Sequence, residues 1–256
     1  MVDSLDIDKL ELEVKNVYRA VATAPSSDYH FEMGRDLAEQ LGYPTADLDR
    51  IPQAALESFA GVGYHFDLAA IVEGDDVLDL GSGSGTDVFI ASLYAGATGS
   101  VIGIDMTEEQ LDKARQNCEE GAFENVTCHH GYIEELPFNE DSFDVVISNG
   151  VINLSASKER VFAEMSRVLR PSGRLAVADI ISEVEMPESI KTDADLWAAC
   201  IGGAMQIDRY TELVESCGFK ITEIRENSAY QFLSDQAANA CKKYGVKSIS
   251  FGARLK

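Results

Sequence analysis

Residues 76–85 read Asp-Val-Leu-Asp-Leu-Gly-Ser-Gly-Ser-Gly, and the run Ser-Val-Ile-Gly-Ile-Asp follows at residues 100–105. Each run predicts a short apolar strand that ends near a carboxylate, and the first strand enters a glycine-rich turn that opens a helix. In an open α/β sheet, nucleotide-like ligands bind beyond the carboxyl ends of the strands, where the strand order reverses. The two runs therefore predict such a site between the glycine turn and Asp105.

The spacing of the glycines separates the classes of nucleotide site. Gly81, Gly83 and Gly85 follow the pattern G-x-G-x-G, whereas dinucleotide-binding turns follow G-x-G-x-x-G and place a pyrophosphate on the helix N-terminus. No Lys-Ser or Lys-Thr pair follows, which excludes a P-loop. Asp79 before the turn suits a cationic ligand, and Asp105 is expected to accept hydrogen bonds from both hydroxyls of a ribose.

The form D-x-G-x-G-x-G resembles motif I of the class I S-adenosylmethionine (SAM) methyltransferases. The resemblance implies SAM as cofactor and these cofactor-binding residues: Asp79, Gly81, Ser82, Gly83, Gly85, Asp87, Asp105, Met106, Tyr132, Ile133, Glu134 and Asn149. A weaker alternative is an NAD-dependent oxidoreductase, against which the glycine spacing speaks. A turn that only packs the fold is the remaining alternative.

Composition and charge narrow the class of protein. The chain has 256 residues, of which 45% are hydrophobic and 25% charged, as expected for a globular enzyme. Its net charge of −23 argues against nucleic acid or an anionic membrane surface as a partner. No apolar run approaches the ~20 residues of a membrane span, and the acidic N-terminus does not resemble a signal peptide. A cytoplasmic location is the expectation, and the oligomeric state stays open.

The cysteines argue against two kinds of structural site. They are odd in number and widely spaced, at Cys118, Cys128, Cys200, Cys217 and Cys241. This spacing favours reduced thiols over a disulfide framework or a structural zinc site, and we predict no bound metal.

Strands and helices alternate along the chain, which predicts an α/β Rossmann-like fold with a mostly parallel central sheet, an N-terminal helical cap and a small C-terminal α+β region. Predicted strands are 76–80, 100–105, 125–129, 143–148, 174–181, 219–226 and 246–253. The sequence does not determine whether the last two run parallel or antiparallel to the others. Predicted helices are 7–23, 31–42, 86–96, 107–120, 157–170, 190–201, 207–217 and 234–244. The expected domains are 1–67 (cap and connector), 68–182 (SAM-binding) and 183–256 (substrate side). Within the first, residues 43–67 are predicted to be a connector rather than core.

Two further strand ends carry candidate site residues. The third strand leads into the sequence GYIEELPF at residues 131–138, where Glu134 is expected at the adenine rim and Ile133 on the adenine face. The fourth leads into NGVINL at residues 149–154, where Asn149 and Asn153 are candidates for binding the acceptor or the amino group of SAM. Asparagine is also a common turn residue, and that alternative stays open for both.

Several longer stretches resemble the arsenite methyltransferase family over residues 10 to 225. They read VLDLGSGSGTD, GIDMTEEQLDKAR, GYIEELP, DVVISNGVINL, KERVFAEMSRVLRPSGRLAVADI and LWAACIGGAM. The N-terminal VKNVYRAVA is similar to the family's opening helix, whose tyrosine, here Tyr18, lies near the methionine of SAM. The resemblance implies methyl transfer from SAM to trivalent arsenic held by cysteine thiolates.

The family's three arsenic-binding cysteines are only partly present. The first two correspond to Val62 and Gly150, whereas the third is retained as Cys200 after Trp197. Arsenic(III) is a soft ion that binds best to about three thiolates. We therefore predict a different small-molecule methyl acceptor, either organic or another soft nucleophile. The replacement of two cysteines by Val62 and Gly150 is expected to make the cleft larger and less accessible to water. Arsenite methylation, and a SAM-binding regulatory protein without turnover, remain the alternatives.

The predicted chemistry is an in-line displacement at the sulfonium methyl, for which the protein mainly supplies alignment and desolvation. His65 is the best-placed base should the acceptor need one. Cys200 is predicted to be an apolar filler rather than a nucleophile, and Tyr18 and Trp197 to wall the acceptor pocket. The candidate acceptor-side residues are thus Tyr18, His65, Asn149, Asn153 and Cys200, with ordinary core packing as the alternative.

Overall fold

The computed structural model describes residues 7–25, 29, 31–193, 196–197, 200–233 and 235–256. Within them lies one eight-stranded sheet of order β3-β2-β1-β4-β5-β8-β7, with the short β6 paired to β5. Its strands are β1 Asp76–Leu80, β2 Ser100–Asp105, β3 Val126–His130, β4 Phe143–Asn149, β5 Leu169–Ser182, β6 Met205–Gln206, β7 Phe219–Glu226 and β8 Lys247–Leu255. The strand order reverses between β1 and β4, so the predicted switch point and the Rossmann-like α/β fold are confirmed.

The helices connect and cover these strands. They are α1 Ile7–Thr23, α2 Arg35–Gln40, α3 Thr45–Leu48, α4 Gln53–Glu57, α5 Phe66–Ala69, α6 Thr86–Ala95, α7 Glu108–Gly121, α8 Lys158–Val168, α9 Glu188–Lys191, α10 Ile207–Ser216 and α11 Asp235–Tyr244, with a 3-10 turn at Ile152–Leu154. The predicted helix 190–201 overlaps α9 only at its start, and residues 194–195 and 198–199 lie outside the described residues. None of the described helices is long and apolar enough to cross a membrane.

The two C-terminal strands, whose direction the sequence left open, run antiparallel. β8 lies between β5 and β7, and Phe251 faces Val177 on one side and Ile224 on the other. Strands β1 to β5 pair only in parallel among themselves. The sheet is therefore mostly parallel, with an antiparallel addition at one side.

The prediction that residues 43–67 form a connector rather than core is wrong. Leu48, Leu56, Phe59 and Phe66 are buried in this segment and share one apolar cluster with side chains of α6 and the sheet. Its helices, α3 to α5, span four or five residues each. Such short helices carry no amphipathic period for a sequence pattern to reveal. The segment packs over the sheet near the end of β1.

A buried tyrosine ties this segment to the site. The Tyr43 hydroxyl donates to Asp87 Oδ1 over 2.7 Å and accepts from Asn149 Nδ2 over 2.9 Å. Asn149 also donates to the carbonyl of Gly63 and accepts from the amide of Val62. Side chains from α6 and the end of β4 thus hold residues 62–63 in place.

We expect Tyr43→Phe to lower the free energy of unfolding by about 1–3 kcal/mol, because buried polar atoms of Asp87 and Asn149 lose a partner. Urea denaturation measures the change, and Tyr244→Phe on the half-buried end of α11 is the matched control. A change of less than ~0.5 kcal/mol, the size of a typical surface effect, would contradict the assigned role of Tyr43.

Candidate active site

A cavity of about 370 Å³ lies at the carboxyl ends of β1, β2 and β4. It is bounded by the glycine turn, α1 and the segments that follow β3 and β4. The predicted residues that line it are Tyr18, Asp79, Gly81, Ser82, Gly83, Asp87, Asp105, Met106, Tyr132, Ile133, Glu134 and Asn149. The remaining predicted residues lie outside the lining: Gly85, which is the N-cap of α6, and His65, Asn153 and Cys200.

The glycine turn is held by the neighbouring strand. The amide of Gly81 donates to the carbonyl of Ile104 over 2.8 Å, and the amide of Gly83 donates to Asp105 Oδ2 over 2.9 Å. Gly81 has a φ of +74°, and a Cβ there would lie 2.3 Å from Val151 Cγ2. Glycine is therefore required where the turn meets the segment after β4.

Carboxylates dominate the charge of the cavity. Asp79 is only 2% exposed, and burial, followed by repulsion from Asp87 and Asp105, raises its pKa well above the ordinary value. Burial also raises the pKa of Asp105, although its Oδ1 accepts the amide of Thr107 over 2.8 Å. Of the lysines and arginines in the described part of the chain, Arg160 alone lines the cavity. The cavity thus favours a cationic ligand.

Helix α1 covers the cavity from one side. Leu10, Val14 and Tyr18, spaced by four residues, place their side chains along the cavity lining. Lys15 Nζ donates to the hydroxyl of Tyr132 over 2.6 Å, and Gln110 Nε2 donates to the carbonyl of Tyr18 over 3.0 Å. These bonds connect α1 to the loop after β3 and to α7.

Some lining residues were not predicted from the sequence. They are Leu10, Glu11, Val14, Ser58, Phe59, Ala60, Gly61, Ser84, Thr86, Thr107, Gln110, Gly131, Glu135, Val151, Leu154, Ser155, Ala156, Ser157 and Arg160. The helical spacing of residues 10, 14 and 18 was a usable signal for α1. Nothing in the spacing of residues 58–61 indicated that they face this cavity.

Two acceptor-side predictions need correction. His65 is fully buried and stacks on Phe66 with ring centroids 4.8 Å apart, so it does not reach the cavity as a base. Burial also lowers its pKa. Asn153 is fully buried, and its Nδ2 donates to Asp179 Oδ1 over 2.6 Å rather than toward the cavity. Asn149 lines the cavity, but its side chain is engaged by Tyr43 and the backbone of residues 62–63.

Val62, Gly150 and Cys200, which the sequence patterns relate to the family's cysteines, lie close together. Val62 and Cys200 belong to one apolar cluster, and a Cβ on Gly150 would lie 3.1 Å from Val62 Cγ1. Val62 is only 1% exposed and fills the space beside Gly150, so the place is dry, but the expected enlargement of the cleft does not occur. Burial raises the pKa of Cys200 to about 12, which keeps the thiol protonated. Among the described residues, no group of three or more His, Cys, Asp or Glu side chains could hold a metal ion.

Comparison with known proteins identifies the family. Residues 71–218 match a family described as a methyltransferase domain. The chain belongs to the SAM-dependent methyltransferases. Its methyl donor is SAM, as predicted from the glycine turn.

Several relatives are arsenite methyltransferases. The chain is 35% identical to that of Halobacterium salinarum, with 93% of the chain and 65% of the relative covered. It is 41% identical to that of Homo sapiens, with 56% of the chain and 40% of the relative covered. A crystal structure of the arsenic(III) SAM methyltransferase of Chlamydomonas reinhardtii superimposes with a TM-score of 0.71 at 32% identity, covering 82% of this chain and 72% of that one. The chain thus spans less than two thirds of the length of the Halobacterium salinarum and Homo sapiens relatives.

We expect Asp79→Asn to stabilise the ligand-free protein. The pKa of Asp79 is raised in the folded state. The contribution of this carboxyl group to the free energy of unfolding is therefore fully present below its pKa in the unfolded chain, and it is lost as the pH rises through its pKa in the fold. At neutral pH the fold disfavours the ionised form that Asp79 takes in the unfolded chain, at a cost on the order of 1–3 kcal/mol, and the neutral amide does not bear this cost. Urea denaturation at neutral pH and at about pH 4 measures the gain, which shrinks at the lower pH.

The exposed Asp112→Asn is the control and should change stability little. The same Asp79 variant should lose most of the thermal stabilisation by S-adenosylhomocysteine. A variant less stable than the wild type at neutral pH would contradict the assigned electrostatics.

Proposed function

We propose that this protein transfers the methyl group of SAM to a small organic acceptor. The observation that carries the choice of acceptor is the convergence of Val62, Gly150 and Cys200 at one dry place. Cys200 is the buried thiol there, Cys241 packs at the edge of the same apolar cluster, and burial raises the pKa of both thiols. Arsenic(III) prefers several thiolates, and softness matching governs such sites. Thiols whose pKa is raised by burial are poor ligands for it, because the thiolate is the ligand form.

The residues of the cavity fit the methyl donor. Asp79 lies within reach of a cationic group in the cavity, and Asp105 offers carboxylate oxygens to ribose hydroxyls beside the glycine turn. Ile133 and Glu134, after β3, are the proposed adenine-side contacts. SAM supplies a methyl group on a sulfonium sulfur, which is already activated for transfer. The task left to the protein is to bind, align and exclude water.

Helix α1 and the segments after β4 and before β1 are the proposed elements that align the acceptor with SAM and exclude water. Tyr18, Val14 and Leu154 contribute an apolar wall, and Phe59 closes the side formed by residues 58–61. His65 lies outside the cavity, so an acceptor that arrives deprotonated, or that is nucleophilic when neutral, fits this site best.

Two other functions have specific support. The similarity to arsenite methyltransferases, at 35% identity over 93% of the chain, favours arsenite as a second candidate acceptor, with further thiolates supplied by a soluble thiol. A regulatory protein that binds SAM without turnover would use the same cavity. Formation of S-adenosylhomocysteine separates enzyme from regulator.

The test incubates purified protein with SAM and a panel of small hydroxyl, amine, carbon and thiol acceptors, and separately with arsenite and excess glutathione. Mass spectrometry quantifies S-adenosylhomocysteine and the methylated product. We expect turnover with an organic acceptor and no methylated arsenic above the protein-free control. Arsenite as the sole productive acceptor would contradict the proposed acceptor class.

Cys200→Ser separates the two acceptor classes. We expect the variant to keep at least half of the wild-type rate with the organic acceptor, because a buried protonated thiol acts there as packing. Cys217→Ser on the half-exposed end of α10 is the matched control. Loss of turnover with SAM binding intact would instead assign a chemical role to the Cys200 thiol.

A further inference from the structure

A buried ammonium group lies just behind the cavity. Lys158, the first residue of α8, is 6% exposed, although lysine is among the residues least often buried. Its Nζ donates to the carbonyls of Asn153 and Ser155 over 3.0 and 2.8 Å, and it lies 5.4 Å from the ring centroid of Trp197. Both hydrogen bonds go to backbone carbonyls rather than to a carboxylate.

Together with Trp197, this lysine holds three successive carbonyls. Trp197 Nε1 donates to the carbonyl of Leu154 over 3.1 Å, between the two carbonyls that Lys158 binds. A Cβ on Gly203 would lie only 1.8 Å from the carbonyl oxygen of Asn153, so this approach requires glycine at position 203. Three separate segments of the chain therefore fix the backbone of residues 153–155.

The backbone held in this way forms part of the cavity. Leu154 and Ser155 line it, and Leu154 packs against the small cluster of Leu10, Val14 and Trp197. The hydroxyl of Ser155 donates to Glu134, which also lines the cavity. A shift of residues 153–155 would move both the apolar wall and the proposed adenine contact.

We propose that Lys158 is a positioning residue whose buried ammonium holds the carbonyls of residues 153–155 and thereby shapes the wall of the methyl-transfer cavity. The proposal rests on the proposed function, since it assigns the wall to that site. A cation is suited to the role because hydrogen bonds from a charged donor to a carbonyl are stronger than those from a neutral one.

The ionisation of this lysine provides a distinctive signature. Burial lowers the pKa of Lys158 to about 8, opposed by attraction from Asp179 on β5, Glu159 on α8 and Glu134 after β3. Above that pH the neutral amine keeps two N–H donors but loses its charge, so its hydrogen bonds to the carbonyls of Asn153 and Ser155 become weaker. An arginine at this position would stay charged throughout.

Hydrogen exchange of the amides of Leu154 and Ser155 tests the proposal without a known acceptor. Both amides donate within the 3-10 turn, to Val151 and Ile152 over 3.0 Å each. The full-length protein, saturated with S-adenosylhomocysteine, is compared as wild type, Lys158→Met, Lys158→Arg and Gly203→Ala. Lys247→Met is the control, since that lysine pairs with Glu183 and Glu226 on the surface.

In Lys158→Met and Gly203→Ala we expect these two amides to exchange at least tenfold faster than in the wild type, with the amides of β4 unchanged. After correction for the intrinsic rate, wild-type exchange should rise severalfold across pH 8, and exchange in Lys158→Arg should not. With any acceptor that the panel identifies, Lys158→Met should lower kcat at least tenfold while the KM for SAM stays within threefold.

Exchange within twofold of the wild type in Lys158→Met, or a pH profile that Lys158→Arg shares with the wild type, would overturn the proposal. Should Lys158→Met not fold, the pH profile of the wild type against Lys158→Arg decides alone. A wild type that binds neither SAM nor S-adenosylhomocysteine refutes the proposed function instead. Exchange is then measured on the ligand-free protein, so the two failures are distinguishable.

Discussion

The site depends on buried carboxylates, among which Asp79 has no basic partner in the described part of the chain. Asp79 is the second-last residue of β1, and Asp105 ends β2 and accepts hydrogen bonds from the amides of Gly83 and Thr107. Burying such charges costs free energy in the ligand-free protein. A cationic ligand recovers that cost on binding, so the arrangement that destabilises the ligand-free protein favours a cationic ligand in the cavity.

The rest of the structure supports this arrangement from three sides. The segment before β1 packs into the core and is tied through Tyr43 to Asp87 and Asn149. Helix α1 covers the cavity, and the segment after β4 closes it, with its backbone held by Lys158 and Trp197. Asn149, a candidate site residue from the sequence, lines the cavity and also binds Tyr43 and the backbone of residues 62–63.

The strands near the site were predictable because the apolar runs are short and bounded by glycine, and because parallel strands bring their carboxyl ends to one edge. For the same reason, most cofactor-side candidates, such as Asp105 and Glu134, line one cavity. Residues 43–67 were not predictable as core, because helices of one turn have no period and their burial comes from contacts distant in sequence. The prediction that His65 faces the cavity was wrong for a similar reason. A residue close to the SAM-binding domain in sequence can still direct its side chain away from the cavity.

The cysteine positions show a further limit of sequence patterns. A family motif identified Val62, Gly150 and Cys200 as related, and the structure brings these positions together. The motif did not indicate that Val62 would fill the gap that the missing side chain at Gly150 leaves. The size of a cleft depends on three-dimensional packing, which the identity of single residues does not determine.

The most direct measurement of the central claim is the proton balance of ligand binding. Isothermal titration of SAM at about pH 5, in buffers of different ionisation enthalpy, counts the protons exchanged on binding. Because a bound cation favours the charged form of Asp79, we expect proton release in the wild type and a smaller release in Asp79→Asn. Binding without proton release, or with proton uptake, would contradict it.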